Sequence, residues 1–252
     1  MSKIKREARR AAGKLRDLIA ILPERRAQAR RDQSLGGDLR QTAGAGPLGP
    51  RIALFVLWQP NGIAPSTLLT CDHLAAQGFA PFALSNAPLT DADRTALAAR
   101  TTRVIERPNL GHDFGAWRDV ILLWLRAGTL PEQGAIWMER PGRPRSAHYQ
   151  SYLLMFGPKA LTHPAFAAFW QRYLASSRRD SVLARGEKGL SRAMTAAGLT
   201  APALVSPTCL LKHAQAAPAP VLRRILDYAA FPVPDRQAAR AERLAQPDAP
   251  GP

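Results

Sequence analysis

The chain has 252 residues, 35 Lys/Arg against 19 Asp/Glu, a formal net charge of +16 and 46% hydrophobic residues. This composition excludes a disordered polymer and suits one large domain with tails. Nothing approaches the roughly 18 apolar residues of a spanning helix, and the start lacks the apolar stretch and cleavage site of a secreted precursor. Cys71 and Cys209 are too far apart for a disulfide framework or a zinc site, so a reducing, cytoplasmic setting is expected.

The charge is unevenly placed: +7 over residues 1–50, +8 over 51–220 and +1 over 221–252. Near the start, Ile4, Ala8, Ala11, Leu15, Leu18 and Leu22 recur at steps of three or four, with Lys and Arg on the other face. The pattern predicts a basic amphipathic helix that Pro23 ends or interrupts. Such a helix either lies on an anionic membrane surface or packs on its own domain or a partner. Nucleic-acid binding is disfavoured, because no zinc finger, ribonucleoprotein motif or basic zipper accompanies the charge. Residues 34–50, rich in Gly and Pro, read as a linker between an arm at 1–33 and a body at 51–220.

The body alternates strands and helices. Arg51–Trp58 reads as a buried strand, followed by a turn at Gln59–Gly62 and a helix over Pro65–Gln77 closed by Gly78. Ala80–Ser85 is a second strand, and Thr90 or Asp91 caps a helix to about Arg100. Thr102–Glu106 is a third strand, followed by a Gly-containing turn and an apolar helix over Phe114–Ala127. This order implies a parallel sheet with right-handed crossovers, whose ligands bind beyond the carboxyl ends of the strands. The loops at Trp58–Asn61, Ser85–Ala87 and Arg107–Asp113 should therefore share one rim. Leu204–Leu211 reads as a last strand and Pro220–Ala230 as a short helix, with a disordered tail after it.

The loop after the third strand, Arg107-Pro108-Asn109-Leu110-Gly111-His112-Asp113-Phe114-Gly115, carries the sharpest signal. Asn109 and Gly111 tolerate positive φ, and Asp113 can cap the helix. The helix start exposes unpaired N–H groups that can hold a phosphate, with Arg107 as a cation beside it. The bland alternative is a capped helix with a Gly turn. Neither G-x-G-x-x-G nor G-x-x-x-x-G-K-[ST] occurs, which disfavours a dinucleotide enzyme and a P-loop ATPase.

Further on, His148-Tyr149-Gln150-Ser151-Tyr152 enters an apolar strand. His148 suits acid/base work or phosphate binding, and Gln150 and Ser151 suit sugar hydroxyls. A structural His is the alternative. Phe166, Phe169, Trp170 and Tyr173 form one helical stripe, read as core. Glu187 stands at a helix start among cations, as a dipole partner, a base, a metal ligand or simple electrostatic packing.

In this order the motifs resemble the rhamnan synthesis F family of bacterial polysaccharide-assembly proteins, regarded as glycosyltransferases. The resemblance rests on the opening strand and loop Ile52–Asn61 and on Ser85-Asn86. It rests further on Arg107-x-Asn109-x-Gly111-x-Asp113-Phe114-Gly115-Ala116-Trp117, on His148-x-Gln150-Ser151-Tyr152 with Phe169-Trp170, and on Glu187-x-Gly189-Leu190-Ser191. It implies an α/β, Rossmann-like, glycosyltransferase-A-like fold with a mostly parallel sheet flanked by helices. The implied donor is a nucleotide sugar such as dTDP-rhamnose, held by Asn86, Arg107, Asn109, Gly111, Asp113 and Trp117. Gln150 and Ser151 would bind a lipid-linked or polysaccharide acceptor, and Glu187 or His148 would act as the base. The implied setting is the cytoplasm, peripherally on the inner face of the membrane through residues 1–22. The family's acidic N-D-S-like motif, which would lie near the diphosphate and a Mg²⁺ or Mn²⁺, has no match in Gly128–Ala147. A strand and helix, on the order of 30–40 residues, are expected to be missing. This points to a shortened or inactive member, or to a non-catalytic scaffold.

Overall fold

The computed structural model describes residues 3–138 and 153–199, with a few single positions beyond 199. By internal contacts the chain divides into Met1–Leu199 and Thr200–Pro252. The first unit begins with helix α1 (Lys3–Ser34) and strand β1 (Arg40–Ala43). It continues through β2 (Arg51–Leu57), α2 (Pro65–Ala76), β3 (Ala80–Ser85), α3 (Asp91–Ala98), β4 (Arg103–Glu106) and α4 (His112–Ala127). Strands β5 (Gln133–Met138) and β6 (Leu153–Phe156) follow. Helices α5 (Pro158–Leu161), α6 (Pro164–Arg172), α7 (Arg179–Val182) and α8 (Lys188–Ala196) complete it, with a π-helical turn at Leu183–Glu187 leading into α8.

The six strands lie in the order β1-β4-β3-β2-β5-β6. The inner four are parallel, and β1 and β6 pair antiparallel at the two edges. β2 explains why the sequence reads as an unbroken apolar run: both of its faces are covered. Ala53, Phe55 and Leu57 meet Cys71 and Leu74 of α2 and Leu97 of α3. Ile52, Leu54 and Val56 meet Phe114 and Trp117 of α4 and Trp170 of α6. This first unit is thus an α/β sandwich with a mostly parallel sheet between two helical layers, consistent with a Rossmann-like fold. Thr90 caps α3 by accepting from Asp93 N–H, and left-handed glycines, Gly78 (φ +78°) and Gly128 (φ +66°), follow α2 and α4.

Three local expectations are corrected. Pro23 neither ends nor breaks α1, which runs through it. Pro23 leaves the Ile19 carbonyl without its helical N–H, and Ile19 is 68% exposed, so water can satisfy it. The segment 34–50 is more than a linker, because it supplies edge strand β1 and the buried Leu35 and Leu39. The residue preceding α4 is Gly111 in the left-handed conformation, and Asp113 sits inside the first turn instead of capping it. Ile136–Met138 belongs to β5, a parallel neighbour of β2. The stretch 148–152, the strand expected at Leu204–Leu211, the helix expected at Pro220–Ala230 and the tail lie outside the described residues.

Burial, with a smaller push from Asp72, lifts the Cys71 thiol from 9.0 to about 12. Cys71 is therefore expected to resist iodoacetamide at pH 8 in the folded protein and to react once urea unfolds it. Peptide mapping by mass spectrometry checks this, and equal labelling in both states would contradict the packing.

Candidate functional site

Because β2, β3 and β4 are parallel and in register, their ends leave the sheet in step. Leu57 pairs with Ser85, and Ser85 with Glu106. The ladder runs one residue further: Asn86 N–H donates to Leu57 O at 2.9 Å and Arg107 N–H to Ser85 O at 3.0 Å. The loops at Trp58, Asn86 and Arg107 therefore share one rim, as the element order predicts. The chain reverses direction about β2, with β3 on one side and β5 on the other. Trp58 stands at this switch point, 52% exposed. Gln59 pins the turn, donating to Thr67 Oγ1 at 2.7 Å and accepting from Ala64 N–H at 2.8 Å.

Arg107 is buried at the centre of the rim. Its Nε donates to Asp119 Oδ2 at 2.7 Å, one terminal nitrogen to Asn86 Oδ1 at 2.5 Å and the other to Leu110 O at 2.6 Å. Burial pulls the guanidinium below its ordinary pKa, against the pull of Asp119. The expectation of a cation facing a ligand is thus corrected: Arg107 joins β3, its own loop and α4, and Asn86 is buried as its acceptor. Trp117 is corrected as well. It is fully buried, its ring edge-on to Phe114 with centroids 5.0 Å apart, and it serves the core.

Asp119 also receives Arg31 from α1, while Arg118 makes two bonds to Asp32, at 2.6 and 2.7 Å. Gln28 donates to Tyr173 O at 2.9 Å and accepts from Ala175 N–H at 2.7 Å. Glu24 accepts from Ser176 and from Arg185. The second half of α1 is thus docked through polar groups. Sequence reasoning missed Arg31, Asp32, Arg118 and Asp119. The available signal was the Arg-Asp dipeptide occurring in both helices, which crosses over so that each Arg meets the other helix's Asp.

The glycines explain how the loop folds. Gly111 (φ +75°) is followed by His112 (φ +51°), two left-handed residues in succession. A Cβ on Gly115 would lie 2.0 Å from Leu110 O, and one on Gly111 2.8 Å from Ala175 Cβ. His112 Nε2 lies 3.0 Å from Ser177 O. One flank of the loop is therefore closed by residues 173–178. Asp113 is half-buried and already engaged with other groups. Asn109 is half-buried, and its Oδ1 is enclosed without a hydrogen-bond partner. It is an acceptor left for a ligand or a water.

Glu187 closes the π-helical turn and is half-buried and engaged with other groups. The turn packs on the loop's helix, where a Cβ on Gly186 would lie 2.7 Å from the Phe114 ring. Two motifs far apart in sequence thus meet at Phe114. His148, Gln150 and Ser151 lie outside the described residues. Among the described residues no three His, Cys, Asp or Glu side chains converge as cation ligands. None of their helices is long and apolar enough to cross a membrane.

Glu106 supports the rim from behind. Burial raises its pKa, but hydrogen bonds from Arg94 at 2.7 Å and Leu89 N–H at 2.9 Å outweigh this and hold the carboxyl below its ordinary 4.5. A depressed carboxyl stabilises the fold above its unfolded pKa and loses that contribution as pH falls through the folded value. Glu106→Gln is therefore expected to flatten the decline of melting temperature below about pH 4.5. Parallel melting curves for variant and parent between pH 3 and 6 would refute it.

No family model and no solved structure matches the chain. A Sinorhizobium fredii (strain NBRC 101917 / NGR234) protein, "Uncharacterized protein y4gN", is 26% identical over 217 residues. The match covers 74% of this chain and 57% of that protein, so the chain spans little more than half of the relative's length. Of 252 residues, 74% is about 186, roughly 30 fewer than the 217 aligned positions, so the relative has about that many positions with no counterpart here.

Proposed function

We propose that the chain is a glycosyltransferase-like protein of cell-surface polysaccharide synthesis, with a glycosyltransferase-A-like domain. It takes a nucleotide-sugar donor such as dTDP-rhamnose at the rim beyond β2, β3 and β4. The observation that carries this reading is the meeting of Ser85-Asn86 and the Arg107–Trp117 motif at adjacent ends of parallel strands, joined by Arg107. The donor would lie between Trp58 and the 109–113 loop. The N–H groups starting α4 would face the diphosphate, where the helix dipole favours the charge that grows as the nucleotide leaves. Asn109 Oδ1 would accept from the donor, and Gly111 and Asp113 would shape the loop around it. Arg107 and Asn86 act by positioning that loop.

Glu187 or His148 would take the acceptor hydroxyl's proton, with Gln150 and Ser151 on a lipid-linked or polysaccharide acceptor. Mg²⁺ or Mn²⁺, where used, would neutralise the leaving diphosphate. No ligand set for it occurs among the described residues, and the N–H groups starting α4 would carry the diphosphate charge. The setting is cytoplasmic. Calorimetry with dTDP and dTDP-rhamnose is expected to show saturable binding of both. No heat from a folded sample, with or without Mn²⁺, would overturn the donor site.

A second reading, a non-catalytic scaffold in the same synthesis, is favoured by the roughly 30 positions of the relative that have no counterpart here. It expects donor binding without transfer. Transfer from a labelled donor by purified protein would remove it.

A further inference from the structure

The polar docking of α1 fixes which way Ile19 and Leu22 face. Glu24, Gln28 and Arg31 face the body, with Leu35 buried just beyond the helix. At 100° per residue these positions centre about 150° away from Ile19 and from Leu22. Neither side chain therefore holds α1 to the body. Both are uncovered: Ile19 is 68% exposed and Leu22 65%. Over residues 3–22 the same helix carries seven Lys/Arg against two acids.

Beside Ile19 and Leu22 runs an open groove of about 560 Å³ between α1, α6 and α8. Ile21, Ala165, Ala168 and Phe169 give it an apolar floor, and Arg25 and Arg172 stand at its edge. Both arginines are exposed and make no ion pair or hydrogen bond among the described residues. Apolar floor, unpaired cations at the edge and exposed large apolar residues alongside are complementary to a lipid whose headgroup is anionic and whose tail is apolar.

We propose that this face of the protein, α1 residues 3–25 together with the groove, docks on a bilayer surface containing anionic lipid. Ile19 and Leu22 enter the boundary between headgroups and acyl chains. Arg25 and Arg172 hold one lipid phosphate with its chain over Phe169. The inference stands apart from the nucleotide-sugar reading, because none of these residues belongs to the rim.

The test is vesicle flotation of the full chain at about 0.15 M NaCl, near physiological screening. Vesicles of phosphatidylcholine alone are compared with vesicles containing phosphatidylglycerol. Binding is expected only with the anionic lipid. I19D/L22D and R25E/R172E should each weaken it about tenfold or more. All four side chains are exposed, so circular dichroism and melting temperature should stay as in the parent. Equal binding to neutral vesicles, or undiminished binding of either double variant, would overturn the proposal. So would a parent dimer on size-exclusion chromatography that I19D/L22D breaks while vesicle binding is absent, because the face would then belong to a second copy.

Discussion

Arg107→Ala is expected to lower the urea midpoint steeply, with a loss of about 3–5 kcal/mol, the range for removing one partner of a buried ion pair. The substitution leaves Asp119 with a single partner from α1 and Asn86 Oδ1 and Leu110 O without Arg107. Arg107→Lys should recover little, because one ammonium cannot span three acceptors on three sides. The measurement also separates two roles. A variant with the parent's urea midpoint that fails to bind dTDP would return Arg107 to the ligand. A variant that unfolds early, while D119N destabilises in parallel, places it in the scaffold.

Gly115→Ala is expected to cost about 3 kcal/mol, the upper part of the range for overpacking, because the new methyl meets a backbone carbonyl that cannot rotate aside. Gly186→Ala meets a side chain instead, the Phe114 ring at 2.7 Å. It should cost less, and Phe114→Leu should rescue part of the loss, giving a double-mutant cycle with a coupling of about 1 kcal/mol. Additive effects at 114 and 186 would show that the two motifs do not press on one another. Urea melts of the four proteins decide this.

These two results bear on how much the sequence could convey. The strands of the inner sheet were legible because Arg51–Leu57 and Ala80–Ser85 are buried on both faces and so appear as unbroken apolar runs. The order of elements was enough to bring three loops to one rim. The role of Arg107 was not legible, because a guanidinium beside a glycine loop looks the same whether its acceptors come from a ligand or from Asp119, twelve residues on. The docking of α1 was hidden for a related reason. Hydrophobic periodicity reports apolar faces, and this helix is held by Glu24, Gln28, Arg31 and Asp32. β1 was hidden because Arg40–Ala43 is an exposed edge, three of its four residues polar, with nothing in its pattern to separate it from a linker.

That short strand has a practical consequence for anyone trimming the protein. β1 lies antiparallel along β4, from Arg40 opposite Glu106 to Ala43 opposite Arg103. A chain begun at Arg51 would keep every motif, yet it would bare the N–H and C=O groups of β4 as a free seam. Free seams recruit strands from neighbouring molecules. Such a fragment would misreport the rim through self-association, whereas one begun shortly before Glu24 would keep the seam closed and the second half of α1 in place.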